Sequence, residues 1–179
     1  MGFDEEKQVS FSRDRSRKGS IDDAIKQLLH RINAKPEFYT TSSCSGRILM
    51  MKYGEKKNQA KWLFSSHDPI QKLPAFKEKG VLWLKVDPMI LHVCCRSLED
   101  ADRLLRLARK MFRRAGIISL GRKTTVEIQG SEKMEMPLAE DGNLLFSEKA
   151  MSFILSQANL RLKRTHGQIR KFEKLIDSL

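Results

Sequence analysis

No uncharged apolar run in this chain approaches the roughly 20 residues that a membrane-spanning helix needs, so no span is expected anywhere along it. The opening Met1-Gly2-Phe3-Asp4-Glu5-Glu6 is acidic and carries no signal-peptide pattern, and position 6 lacks the Ser or Thr that goes with myristoylation of Gly2. Cysteine is scarce, with only Cys44, Cys94 and Cys95. An odd count that includes two adjacent residues does not build a disulfide framework and suits a reducing, cytoplasmic setting. Paired C-x₂-C zinc spacing is missing, and the four histidines, His30, His67, His92 and His166, are scattered, so no metal is expected. No G-x-G-x-x-G follows a predicted strand, which removes the Rossmann nucleotide signature. H-E-x-x-H, G-x-S-x-G and RNP1 motifs are also absent. Aromatic residues make up only 7%, too few to suggest a base-stacking platform for single strands.

What is present is a core-forming composition with a large positive surplus. The 179 residues suit one domain over 1–179, and 40% hydrophobic content argues against disorder throughout. Thirty-four Lys and Arg against 22 Asp and Glu leave a net charge of +12 and a pI near 9.8. A surplus of that size repels itself in a compact state and points to a polyanionic partner.

Residues 1–19 read as a polar arm of mixed charge. Ser20 is placed as a helix cap, followed by Ile21, Ala24, Ile25, Leu28, Leu29 and Ile32 at helical period, so a helix is expected to about Asn33. Strands are expected over 38–41, 47–53, 60–66, 81–86 and 89–96, with a short helix in the break around 69–76. Ser97-Leu98-Glu99-Asp100 opens a second helix, whose apolar stripe runs from Leu98 to Ala115 with Gly116 at its end. Its basic face makes residues 96–123 the densest positive block, nine basic against three acidic. Short strands follow over 117–120, 124–129 and 133–137, the last two joined at Gly130-Ser131, before a long helix over 147–179. Strands in runs between helices favour α+β, a mixed or antiparallel sheet with helices packed on it.

Three stretches carry possible chemistry. Thr40-Thr41-Ser42-Ser43-Cys44-Ser45-Gly46-Arg47 sets six small hydroxyl or thiol side chains before a glycine and an arginine. Such a loop exposes N–H groups, Gly46 is free to take φ > 0, and Arg47 adds a planar fork for a carboxylate or phosphate. The same residues also suit an ordinary polar hairpin turn. In Leu91-His92-Val93-Cys94-Cys95-Arg96, strand alternation puts His92, Cys94 and Arg96 on one face and the apolar Leu91, Val93 and Cys95 on the other. Asp14-Arg15-Ser16-Arg17-Lys18-Gly19-Ser20 precedes a helix start, a natural anion site, without Walker A spacing. From the residues alone, the chain is a basic α+β domain that binds a polyanion, with RNA the first choice.

At these three stretches the chain resembles the tRNA wybutosine-synthesizing protein 3 family of wyosine-pathway methyltransferases. The resemblance lies in residues 14–22, in residues 38–48 around T-T-S-S-C-S-G-R, and in residues 91–96, and continues more weakly through 122–138 and Ala158-Asn159. The short length resembles archaeal members. The resemblance implies a fold unlike the Rossmann methyltransferases. It further implies S-adenosylmethionine-dependent N-methylation of a tricyclic guanosine 3′ of the anticodon in phenylalanine tRNA. Ser42, Ser43, Cys44, Ser45, Gly46 and Arg47 are then expected to hold the donor or the base. Arg96 is expected to complete the pocket, with His92 as the catalytic candidate. For tRNA docking the expected contacts are Arg17, Lys18, Arg113, Arg114, Arg122 and Lys123; neither DNA nor a membrane is implied. Two rivals make different predictions. A non-catalytic RNA-binding module binds tRNA but no methyl donor, and a thiol or metal enzyme using Cys44 and His92 loses activity on alkylation.

Overall fold

A computed structural model describes residues 2–12, 21–54, 59–121 and 123–179. Among these are four helices and nine strands, all strand pairs antiparallel, grouped into two compact units. The α+β expectation is met. Arg17, Lys18, Ser20 and Arg122 lie outside the described residues; the helix expected after Ser20 starts at Asp23, with Asp22 rather than Ser20 at its N-cap position.

The first unit takes residues 1–45, 89–131 and 166–179. Its sheet has the order β1 (Phe38–Cys44), β5 (Ile90–Cys95), β7 (Thr124–Gln129), β6 (Arg114–Ser119). Phe38, Leu91, Val93, Cys95, Val126 and Ile128 alternate onto one face and join the buried stripes of α2 (Asp23–Ala34) and α3 (Leu98–Ala108). In α2 that stripe is Ile25, Leu28, Leu29 and Ile32, at the spacing of one helical face. Ser97 caps α3: its Oγ accepts the Asp100 N–H at 3.1 Å and donates to Asp100 Oδ2 at 2.8 Å. Ile169, Phe172 and Ile176, from the C-terminal part of α4 (Glu148–Ile176), complete this core. Phe112 meets Phe172 edge to face at 5.2 Å.

The second unit takes residues 46–88 and 132–165. Its sheet has the order β3 (Lys61–Ser66), β2 (Arg47–Lys52), β4 (Val81–Asp87), β8 (Met134–Glu140), β9 (Asn143–Leu144). Ile48, Met50, Leu82, Leu84, Val86 and Leu138 pack with Met151, Ala158 and Leu162 of α4.

Several boundaries differ from the sequence reading. Within the supposed polar arm, residues 3–12 form α1 (Phe3–Ser12), with three acidic residues in its first turn where the helix dipole favours them. Its anchors are tertiary: the Phe3 ring lies edge-on to Tyr39 at 4.9 Å, and the Tyr39 hydroxyl donates to Glu6 at 2.7 Å. Helix α3 stops at Ala108 rather than running to Ala115, and Arg114–Ser119 is strand β6. Gly116, Ile117 and Ile118 are poor helix formers, and β7 supplies the backbone partners they need. No helix forms over 69–76, where Pro69 and Pro74 interrupt the backbone donors. The Asn159 side chain clamps that segment instead, accepting the Ile70 N–H at 2.8 Å and donating to the Ile70 carbonyl at 2.7 Å. Strands β7 and β8 do not pair as a hairpin; they belong to different sheets.

Candidate functional site

The serine-rich stretch is mostly strand. β1 runs through Cys44, so the turn before β2 is only Ser45 and Gly46. Between Thr40 and Ser42 the pairing with β5 shifts: Thr40 opposes Val93, but Ser42 opposes His92. Thr41 is the extra residue of a β-bulge, a device that re-aims the side chains after it. Without the bulge Ser42 would share the core face with Thr40; with it, Ser42 joins His92 on the opposite face. The row continues across the sheet, because His92 opposes Glu127 on β7 and Glu127 opposes Gly116 on β6. Thus the serine stretch and the histidine motif, 50 positions apart, meet on one sheet face.

His92 Nε2 lies 2.8 Å from Glu127 Oε2, with 26% and 34% of the two side chains exposed. Glu127 was not singled out from the sequence; only the cross-strand register places it. On the neighbouring row Tyr39, Cys94 and Thr125 line up, and Cys94 Sγ lies 3.5 Å from Thr125 Oγ1. The Tyr39 phenol is pushed far above its ordinary range by burial first and by Glu6 and Cys94 next, so it stays protonated.

The turn is held from α2. Asp22, at the N-cap position, makes no side-chain bond to its own helix. Its Oδ2 instead accepts the Ser45 N–H at 2.9 Å and the Ser45 hydroxyl at 3.2 Å, in a buried position. Nothing local in the sequence signals this use of the Asp22 carboxylate. Gly46 is buried and takes φ of 91°, a left-handed conformation that glycine is free to adopt. In the second unit the Gly46 carbonyl lies 3.0 Å from His67 Nδ1. His67 was noted only as one of four scattered histidines.

Arg47 belongs to the second unit. It opposes Asp87 on β4, bonds its carboxylate at 3.3 Å, and stacks its guanidinium 4.3 Å from the Trp62 ring centre. Arg96 is engaged by α1: it pairs with Asp4, donates to the Pro36 carbonyl at 3.1 Å, and lies 4.5 Å from the Phe3 ring centre. That bond holds the Asp4 carboxyl below its ordinary value. Of the described basic candidates, Arg113 is exposed, Arg114 is exposed 3.5 Å from Gln129 Oε1, and Lys123 pairs with Glu6. None of the three cysteines is in a disulfide; Cys44 is half-buried and Cys94 and Cys95 are buried.

The class is thus an α+β protein of two antiparallel sheets without Rossmann topology. Among solved structures it is similar to the PH1069 protein from Pyrococcus horikoshii, with a TM-score of 0.86, 32% identity, and 98% and 96% of the two chains covered. Among curated proteins it is 41% identical over 176 residues to the tRNA(Phe) 7-((3-amino-3-carboxypropyl)-4-demethylwyosine(37)-N(4))-methyltransferase of Thermococcus sibiricus, covering 90% of this chain and 87% of the relative. It is 39% identical over 173 residues to the methyltransferase 1 of the same description from Pyrococcus abyssi, covering 91% and 89%. The family model for methyltransferase TYW3 matches residues 5–178, and the chain belongs to that family.

Proposed function

We propose that this protein methylates N4 of 7-(3-amino-3-carboxypropyl)-4-demethylwyosine at position 37 of tRNA(Phe), with S-adenosylmethionine as donor, in the cytoplasm. The observation that carries this reading is the family match over residues 5–178. The identities of 39% and 41% to relatives named for that reaction supply the substrate. The +12 charge suits a tRNA partner.

The residues present fit such a donor. Ser42 and Ser43 offer hydroxyls, and Arg47 offers a guanidinium for a carboxylate. When bound, S-adenosylmethionine supplies a sulfonium methyl. Residues 42–47 hold donor or base. Cys44 serves as a polar or packing contact, because methyl transfer needs no thiolate. A demethylated N4 carries a proton that must leave as the new N–C bond forms, and His92 accepts it. The main contribution is alignment, which can be worth roughly 7–11 kcal/mol. Arg96 enters this reading through α1, which it holds in place. Arg17, Lys18, Arg113, Arg114, Arg122 and Lys123 provide phosphate contacts that position the tRNA.

Calorimetry with S-adenosylmethionine, followed by methyl transfer to hypomodified tRNA(Phe), tests the reading. Stoichiometric donor binding and an added methyl mass at nucleotide 37 are expected. tRNA binding without donor binding would instead identify a non-catalytic RNA-binding module.

A further inference from the structure

We propose that Glu127 is a positioning residue that holds His92 as its Nε2–H tautomer and leaves Nδ1 as the proton-accepting nitrogen. The assignment rests on the reading of His92 as proton acceptor in methyl transfer.

Three observations carry it. First, the two residues are directly opposed in the β5–β7 ladder, so backbone hydrogen bonding fixes their Cβ atoms on one face. Second, Nε2 lies 2.8 Å from Glu127 Oε2. An ionised carboxylate only accepts hydrogen bonds, so the nitrogen facing it must carry the hydrogen. Third, both partners stand on interior strands of the four-stranded sheet, with Ser42 of β1 on the far side of His92 in the same row. The ring is therefore set between a carboxylate and the serine stretch.

The chemistry balances. The N4–CH₃ bond forms as the sulfonium S–CH₃ bond breaks, and sulfur leaves with the bonding pair as a neutral thioether. The N4 proton passes to His92 Nδ1, and the resulting imidazolium donates from Nε2 to the Glu127 carboxylate, which offsets its new charge. A carboxylate-oriented imidazole performs the same task in other enzyme folds.

The test is nitrogen-15 NMR of the labelled full chain at pH 8, with kinetics on hypomodified tRNA(Phe). Wild type is expected to show His92 as the Nε2–H tautomer. Glu127→Ala should convert it to a tautomer mixture, and kcat should fall by up to about 100-fold with KM for tRNA unchanged, the lower end of what a positioned proton acceptor contributes. Glu127→Gln, whose amide oxygen still accepts, should restore the tautomer but only part of kcat. It also covers the case in which the alanine variant does not fold. An unchanged His92 tautomer in folded Glu127→Ala overturns the proposal, as does a full kcat in that variant where His92→Ala loses turnover. If Glu127→Ala shifts the tautomer but His92→Ala keeps full turnover, the holding of the ring by Glu127 is supported and the assignment of His92 as proton acceptor fails.

Discussion

One carboxylate oxygen of Asp22 accepts two hydrogen bonds from Ser45, from its backbone N–H at 2.9 Å and its hydroxyl at 3.2 Å. The residue that would ordinarily cap α2 secures the end of β1 instead, and so sets where the serine stretch turns toward Gly46. Asp22→Ala strands a buried N–H and should destabilise the fold by about 1–3 kcal/mol. Asp22→Asn keeps an acceptor oxygen and should cost less. Urea unfolding of both variants measures the difference, and equal losses would remove the hydrogen bonds as its cause.

Asn159 bonds both backbone groups of Ile70. Asn159→Ala should lower stability by about 1–3 kcal/mol by leaving two part-buried groups unpaired. It should also speed amide exchange across 67–80. Unchanged exchange there would mean that the segment is held by its apolar contacts alone.

Arg47 is fixed in place by Asp87 and Trp62. Arg47→Ala should weaken binding of S-adenosylmethionine or tRNA while circular dichroism stays native. Arg47→Lys keeps the charge but loses the flat face over the indole, and should fall between the two. Wild-type binding and turnover in Arg47→Ala would exclude this side chain from the site.

Exposed cations should act additively on tRNA affinity. Removing Arg113 and Arg114 should flatten the log affinity against log salt by about 0.7–0.9 per lost phosphate contact. Lys123 is paired with Glu6, so Glu6→Gln should tighten tRNA binding at low salt by releasing a competitor. A slope that does not change in the double arginine variant would make those residues a solvated face.

Burial pushes the Cys95 thiol up to about 12 from an ordinary 9.0, with Cys94 and Asp100 adding to the effect. The folded chain holds this proton more tightly than the unfolded chain. The contribution to stability is therefore complete below pH 9 and is lost as pH rises toward 12. Alkylation of the native protein at pH 8 should label half-buried Cys44 and spare Cys95, read by peptide mass mapping.

Strand alternation made the two faces of β5 legible in the sequence: Leu91, Val93 and Cys95 on the face of the helix-covered core, His92 and Cys94 on the other. The bulge at Thr41 was not legible, because nothing in Thr-Thr-Ser-Ser says where one residue will be left unpaired. It decides the face that Ser42 takes. Helix α1 was also hidden, since its anchors, Tyr39, Arg96 and Lys123, are far away in sequence. The end of α3 was misplaced because Met111, Phe112 and Ala115 fit a helical stripe as well as they fit a turn and a strand.

By itself, the sequence determined the α+β class and the net positive charge, which rest on local periodicity and composition, and it carried the family motif as a contiguous string of residues. Only the tertiary structure decided that Glu127 meets His92 and that Asp22 binds Ser45. Those partners are chosen by strand register and helix packing, and separations of 35 and 23 residues leave no periodic trace in the chain.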